Sequence, residues 1–167
     1  MLSVRFTIRP YRAPDFKTLW AIDQSCFAPG VSYSPAELRL YIGRPQAFTL
    51  VAEAQTESGP ESEARARICG FLVAEQGRRA GHIITIDVCS EARRHGIGSC
   101  LLEAAEGELR QASCGRVCLE TAVDNRAALC FYKRHGYSVI RTLPRYYSNG
   151  VDALVLEKHL LSVLAHG

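Results

Sequence analysis

The segment from His82 to Ser99 constrains the fold more than any other part of the chain. A heavily β-branched run, His82-Ile83-Ile84-Thr85-Ile86-Asp87-Val88, reads as a central strand. Within a few residues a basic turn follows, Arg93-Arg94-His95-Gly96-Ile97-Gly98-Ser99, and an amphipathic helix begins. From Gly96 to Ala112, Ile97, Cys100, Leu101, Ala104, Ala105, Leu109 and Ala112 share one face. A buried strand that leads through a glycine-punctuated turn into a one-faced helix requires a sheet with helices packed on it.

The flanking segments complete that layered pattern. Val4–Tyr11 alternates as a strand, and Ala13-Pro14-Asp15 starts a helix that continues through Phe16, Leu19, Trp20 and Ile22. After a turn at Pro29-Gly30, Ser34-Pro35-Ala36-Glu37 is a capping box that opens a second, short helix. Ala47–Ala54 and Ile68–Gln76 read as strands on either side of a polar loop, Thr56–Arg67. Past the long helix come a strand at Arg116–Thr121, a helix at Asn125–His135 closed by Gly136, and strands at Tyr137–Thr142 and Ala153–Lys158. Between the last two, Asn149-Gly150 is a two-residue hairpin signal. The order β-α-α-β-β-β-α-β-α-β-β predicts an α+β fold with a mixed, mostly antiparallel sheet and helices on its faces.

Composition narrows the function by exclusion. A formal charge of +3 without a long basic run does not suit a nucleic-acid binder, and no apolar stretch is long enough to span a bilayer. The first six residues lack the apolar run of a secretory leader, so the expected location is the cytoplasm. Seven cysteines and five histidines show no C-x-x-C pair and no metal-ligand spacing, so reduced, inert thiols and no metal are expected. A catalytic cysteine with His82 or His95 as base has no support beyond coexistence.

The basic turn is a candidate anion cradle. A helix N-terminus offers unpaired N–H groups and the positive end of the helix dipole, and glycines let the backbone come close to a phosphate. Arg93 and Arg94 would add charge-assisted contacts. Gly98-Ser99 lacks the lysine of a P-loop, and no third glycine near Leu101 completes a dinucleotide fingerprint. A helix start with two solvated arginines would look the same.

The downstream segment separates these readings. Leu119-Glu120-Thr121-Ala122-Val123-Asp124-Asn125-Arg126-Ala127-Ala128-Leu129-Cys130-Phe131-Tyr132-Lys133-Arg134-His135-Gly136-Tyr137 resembles the GNAT acetyltransferase pattern L-E-V-x-x-x-N-x-x-A-x-x-x-Y-x-x-x-G-F. Arg93–Gly98 is similar to that superfamily's Q/R-x-x-G-x-G/A loop. Within the superfamily, Gly81–Val88 and the ending Tyr146-Tyr147-Ser148-Asn149-Gly150-Val151-Asp152-Ala153 resemble the RimI-type protein N-terminal acetyltransferases. Two positions depart from that pattern: Val151 replaces an acid, and Asp87 replaces a small or apolar residue.

The resemblance implies a single GNAT domain over residues 1–167, with its core at residues 4–160. It implies about seven strands and about four helices, with strands 4 and 5 splayed apart. Acetyl-CoA is the implied co-substrate, and a protein or peptide N-terminus the implied acceptor. The implied contacts of acetyl-CoA are Arg93, Arg94, His95, Gly96, Ile97, Gly98 and Ser99 at the pyrophosphate. They continue with Ile86 and Asp87 beside the pantetheine arm, Val88 N–H at the thioester carbonyl, Asn125 on the arm, and Tyr132. Glu120 is the implied base and Tyr132 the implied acid, while Tyr146 or Tyr147 would meet the acceptor. A small-molecule amine or a lysine is the alternative acceptor. A non-catalytic acetyl-CoA-binding module is the alternative class, and it has no need of Glu120 or Tyr132. No interaction with nucleic acid or membrane is expected; the sequence does not set the oligomeric state, and a monomer is compatible with it.

Overall fold

The computed structural model describes residues 5–55 and 66–160. The elements follow the expected order: β1 (Phe6–Pro10), α1 (Phe16–Cys26), α2 (Pro35–Ile42), β2 (Ala47–Gln55), β3 (Ala66–Gln76), β4 (Ala80–Val88), α3 (Ile97–Gln111), β5 (Arg116–Ala122), α4 (Arg126–Arg134), β6 (Ser138–Leu143) and β7 (Ala153–His159). Seven strands form one mixed sheet in the order β1-β2-β3-β4-β5-β7-β6, with β4 and β5 as its parallel pair. The expected Thr56–Arg67 loop lies outside the described residues except for Ala66 and Arg67, which begin β3.

Local chemistry accounts for the helix starts. Ser34 Oγ accepts the Glu37 N–H at 3.2 Å and Glu37 Oε2 accepts the Ser34 N–H at 2.8 Å, the reciprocal box that opens α2. Ala13–Asp15 forms a 3-10 turn, because Asp15 Oδ2 reaches back to the Arg12 N–H at 2.8 Å while Arg9 clamps the same carboxylate. Asn149-Gly150 is not a two-residue hairpin. A wider link joins β6 to β7, and in it a turn is closed by the Gly150 N–H on Tyr147 O at 2.9 Å.

Helices cover both faces of the sheet. On one face α3 packs Ile97, Leu101, Leu102, Ala105 and Leu109 against Leu72, Ala74, Ile83, Val117 and Leu119. On the other, α1 and α2 bring Phe16, Leu19, Ile22 and Leu38 onto Val51, Phe71 and Val73. The core face of α3 carries one acid, Glu106. It is satisfied by Lys158 Nζ at 2.9 Å and the Tyr137 hydroxyl at 3.0 Å, which ties α3 to β7 and to the end of α4.

Two irregularities shape the middle of the sheet. The β3–β4 register steps from Val73↔Thr85 to Ala74↔Ile83, so Ile84 is an extra, bulged residue. Ile83 therefore shares the α3-side core with Ile86 and Val88, an odd-to-even switch that simple alternation would not give, while Ile84 faces the α1–α2 side. Pairing of β4 with β5 runs only from Ala80↔Arg116 to Ile83↔Leu119, and β4 continues to Val88 without β5 beside it. β5 meanwhile stays paired with β7 along its whole length. The parting of the strands thus begins at the bulge.

The paired end of β4 is held tightly under α3. A methyl group on Gly81 would sit 2.5 Å from both Leu109 Cδ atoms. Gly81→Ala is therefore expected to destabilise the protein by about 1–3 kcal/mol. Combined with Leu109→Ala, the loss should fall short of the sum of the single losses, read as denaturant midpoints in a double-mutant cycle. Simple additivity would show that Gly81 is not packed under Leu109.

Candidate active site

The gap between β4 and β5 opens a cleft of about 900 Å³ lined by β4, β5, the start of α3, α4 and the connection after α1. Just past the end of β4, Cys89 N–H donates to Cys69 O of β3 at 2.8 Å. Opposed residues of an antiparallel pair alternate between bonding the partner strand and facing away. Ile86 and Val88 therefore turn their N–H groups to the edge that β5 has left. The Val88 carbonyl on that edge is occupied by Arg93 Nε at 3.1 Å and the Cys26 thiol at 3.5 Å. That edge offers N–H donors to a ligand.

At the start of α3, Gly96 is the N-cap, with φ of 79° and no side-chain capping bond. A Cβ added there would meet nothing within 4 Å, so glycine is favoured by the backbone conformation and not by crowding. The first intrahelical bond is Cys100 N–H to Gly96 O at 3.0 Å. The N–H groups of Ile97, Gly98 and Ser99 come before it and face the cleft end of the helix. Arg94 is exposed at positive φ (67°) and has no side-chain partner among the described residues.

The chemistry-bearing side chains sit where the strands part. Glu120 is the first residue of β5 beyond the last β4 pair, and its Oε2 lies 2.6 Å from His82 Nε2. A carboxylate only accepts, so Nε2 carries the hydrogen of this bond and, in the neutral ring, Nδ1 is left as the acceptor. Across the cleft Tyr132 on α4 is buried, and burial raises its phenol above the usual range, with the nearby Asp87 and Tyr147 adding to the rise. A phenol held protonated through neutral pH can donate but does not serve as a base.

Most residues expected in the site line this cleft: Ile86, Asp87, Val88, Arg93, Arg94, Gly96, Ile97, Gly98, Ser99, Glu120, Asn125, Tyr132 and Tyr147. Three placements differ from expectation. His95 is exposed and outside the lining. Arg93 spends its Nε on the Val88 carbonyl and turns Nη2 to Cys26, so it braces the loop against β4. The Asp87 side chain is turned away from α3, accepts the Thr85 hydroxyl at 2.7 Å and is almost fully buried. Of the two adjacent tyrosines, of which one was expected to face the groove, Tyr147 lines the cleft and Tyr146 is half exposed outside it. Asn125 Oδ1 caps α4 by accepting the Ala128 N–H at 3.1 Å.

The sequence reading missed three contributors to the cleft. His82 is one, because a strand histidine carries no local signal that links it to a glutamate 38 residues on. Ser99 Oγ lies 2.9 Å from His135 Nε2, which brings the end of α4 to the cradle. The Ser148 hydroxyl donates to Gly30 O at 2.9 Å, so the β6–β7 link and the α1–α2 connection meet over the opposite mouth. Cys26 lines the cleft, but burial raises its thiol, opposite to what a nucleophile needs.

The sequence model of the acetyltransferase (GNAT) family matches residues 16–137, which include the parted strands and the helix N-terminus beside them. The chain belongs to the GNAT family. It is 37% identical over 98 residues, 58% of its length, to an uncharacterized N-acetyltransferase of Methanocaldococcus jannaschii. It is 38% identical over 90 residues, 54% of its length, to N-alpha-acetyltransferase 30 of Homo sapiens. The matched stretches span 63% of the first relative and 25% of the second. Among solved structures, Ard1 of Thermoplasma volcanium superposes with a TM-score of 0.78 at 28% identity, covering 93% of this chain and 98% of that one.

Proposed function

We propose that this GNAT protein transfers the acetyl group of acetyl-CoA to the α-amino group at a protein or peptide N-terminus, within a ternary complex. The observation that carries the reading is the parting of β4 and β5, which exposes the Val88 N–H between a helix N-terminus on one side and the His82–Glu120 pair on the other. The names of the relatives support the acceptor class.

The residues divide the work. The N–H groups of Ile97, Gly98 and Ser99, with Arg94, hold the pyrophosphate. The Ile86 N–H steadies the pantetheine arm, and the Val88 N–H points at the thioester carbonyl oxygen. The acceptor arrives as an ammonium and gives one proton to Glu120, with His82 bonded behind it to share the charge. The amine lone pair then attacks the carbonyl carbon, a C–N bond forms, and the oxyanion rests on the Val88 N–H. Collapse breaks the C–S bond, the Tyr132 hydroxyl protonates the departing sulfur, and the second proton of the attacking nitrogen returns through solvent to the tyrosinate, which leaves a neutral amide and restores Tyr132. On the opposite mouth, Tyr147 packs against the acceptor's first residues.

The deciding experiment uses peptides with one internal lysine and either a free or a blocked N-terminus, with acetylation located by mass spectrometry. Acetylation of the free α-amine alone supports the proposal. Acetylation of lysine or of small amines in preference to every peptide removes it.

Arg94→Glu is expected to weaken acetyl-CoA binding at least tenfold by calorimetry with the thermal midpoint unchanged, because a cation at the cradle becomes an anion. Tyr132→Phe should lower kcat by roughly 10²–10⁴-fold with acetyl-CoA affinity kept, the usual worth of a general acid. Glu120→Gln should slow the reaction most at neutral pH and less as pH rises and the amine deprotonates unaided. Tyr147→Ala should raise the peptide KM while Tyr146→Ala leaves it within about twofold, following their different placement. A peptide KM left unchanged by Tyr147→Ala would remove Tyr147 from the acceptor site.

A further inference from the structure

The acceptor side of the cleft holds two acids that the chemistry above does not use. Asp23, near the end of α1, is fully buried, and Asp87 on β4 is 1% exposed. Each has one oxygen satisfied. Asp23 Oδ2 accepts the Tyr33 N–H at 2.8 Å and the Gln24 amide at 3.2 Å, and Asp87 Oδ1 accepts the Thr85 hydroxyl. The other two, Asp23 Oδ1 and Asp87 Oδ2, are buried and have no partner among the described residues when both acids are ionised. The turn of α1 that carries Asp23 lies on β4 beside Asp87, for Cys26, three residues on, places its thiol 3.5 Å from Val88 O.

Two carboxylates cannot bond each other, because neither has a hydrogen to give. Neither acid is in a salt bridge among the described residues, and a buried like-charge pair without a cation is very costly. One proton between them removes both problems: it supplies the missing donor and leaves a single charge. Burial raises both groups, Asp87 the more. Asp23, which already accepts two N–H bonds, is the better carboxylate, so Asp87 holds the proton.

The pair sits at a junction of the site. Asp23 holds the backbone of Tyr33, whose hydroxyl donates to Ile84 O at the β4 bulge at 3.3 Å. Asp87 lies between Ile86 and Val88, the two residues whose N–H groups face the gap. We propose that Asp23 and Asp87 form a one-proton clamp that fastens the Phe27–Tyr33 wall of the acceptor mouth to the bulged end of β4. They are positioning residues. Facing groups from each packed element are Glu37 on α2, Cys26 on α1, Tyr33 on the connection, Arg93 on the cradle loop and Tyr132 on α4. Arg93 eases ionisation of Asp87, while the anionic forms of the others oppose it. With Asp87 raised, the clamp is intact below its folded-state pKa. It fails as pH rises through that value and a second buried carboxylate appears.

The chain's single tryptophan reports on this joint, since Trp20 Nε1 donates to Tyr33 O at 3.2 Å. Two measurements do not depend on any acceptor. Infrared spectra of the wild type near pH 7 should contain a protonated-carboxyl stretch that Asp87→Asn lacks, and Trp20 emission should shift on raising pH in the wild type. Asp87→Asn, a permanent mimic of the protonated acid, should reduce that shift to what tyrosine ionisation alone produces. Kinetically, and resting on the acceptor reading above, Asp87→Ala should raise the acceptor KM tenfold or more with acetyl-CoA KM within about twofold, and Asp87→Asn should restore it. Absence of the protonated-carboxyl band from the wild type overturns the clamp even if no variant folds, as does an unaltered pH response of Trp20 in Asp87→Asn. Failure of peptide acetylation with both spectroscopic results intact would remove the acceptor reading and leave the clamp.

Discussion

The site depends on one interruption of hydrogen bonding: β4 and β5 stop pairing after Ile83 and Leu119. Backbone groups left without a strand partner inside a protein must be satisfied some other way. Here the division is uneven. The Ile84 carbonyl takes the Tyr33 hydroxyl, and the Val88 carbonyl takes Arg93 and Cys26. The N–H groups of Ile86 and Val88 face the gap instead. A surface made this way suits a ligand that accepts hydrogen bonds, which on the proposed reading is the carbonyl of a thioester and the amides of its arm. The Ile84 bulge serves the same end, since it bends β4 away at the point where the pairing ends.

Much of this could be read from the sequence, for reasons that differ by element. The strand–turn–helix from His82 to Gln111 was legible because β-branched density, two glycines and a one-faced helix are local signals. The Ser34 box formed as expected because its donors and acceptors lie within four residues. The bulge was not legible: the run of isoleucines around it has no period to break. Partners set by topology were also hidden, including His82 on Glu120, His135 on Ser99 and Asp23 beside Asp87, for each pair lies on elements that meet only once the sheet is built. Arg93 and Arg94 look equivalent in sequence, but the backbone turns one onto β4 and leaves the other in solvent.

The two mouths of the cleft are built with different stiffness. The cradle side rests on α3, whose face is packed into the main core and anchored by the Glu106–Lys158 and Glu106–Tyr137 bonds. The opposite mouth is made of connections: residues after α1, and the link between β6 and β7, joined through Ser148 and Gly30. Loops carry specificity more cheaply than a core does, because they can change without repacking. It is on this side that the chain departs from the pattern it resembles, at Asp87 and Val151.

Charge follows the same division. The helix N-terminus and Arg94 make the cradle end positive, while Glu120, and the single charge that the proposed clamp leaves on Asp23, make the other end negative. A cleft with low-dielectric walls focuses such a field. On the proposed reading an anionic co-substrate is drawn to one end and a cationic amine to the other, so each is disfavoured in the other's place before any contact is made. The same field works against Tyr132. Negative charge on Asp87 would raise the phenol further and weaken it as a donor to the leaving sulfur, as the rise already attributed to that neighbour indicates. Keeping a proton on Asp87 limits that cost. An acid placed where the resembled pattern has a small or apolar residue is therefore compatible with the proposed chemistry in its neutral form, and Asp23, buried on the adjoining turn of α1, is the group positioned to keep it neutral.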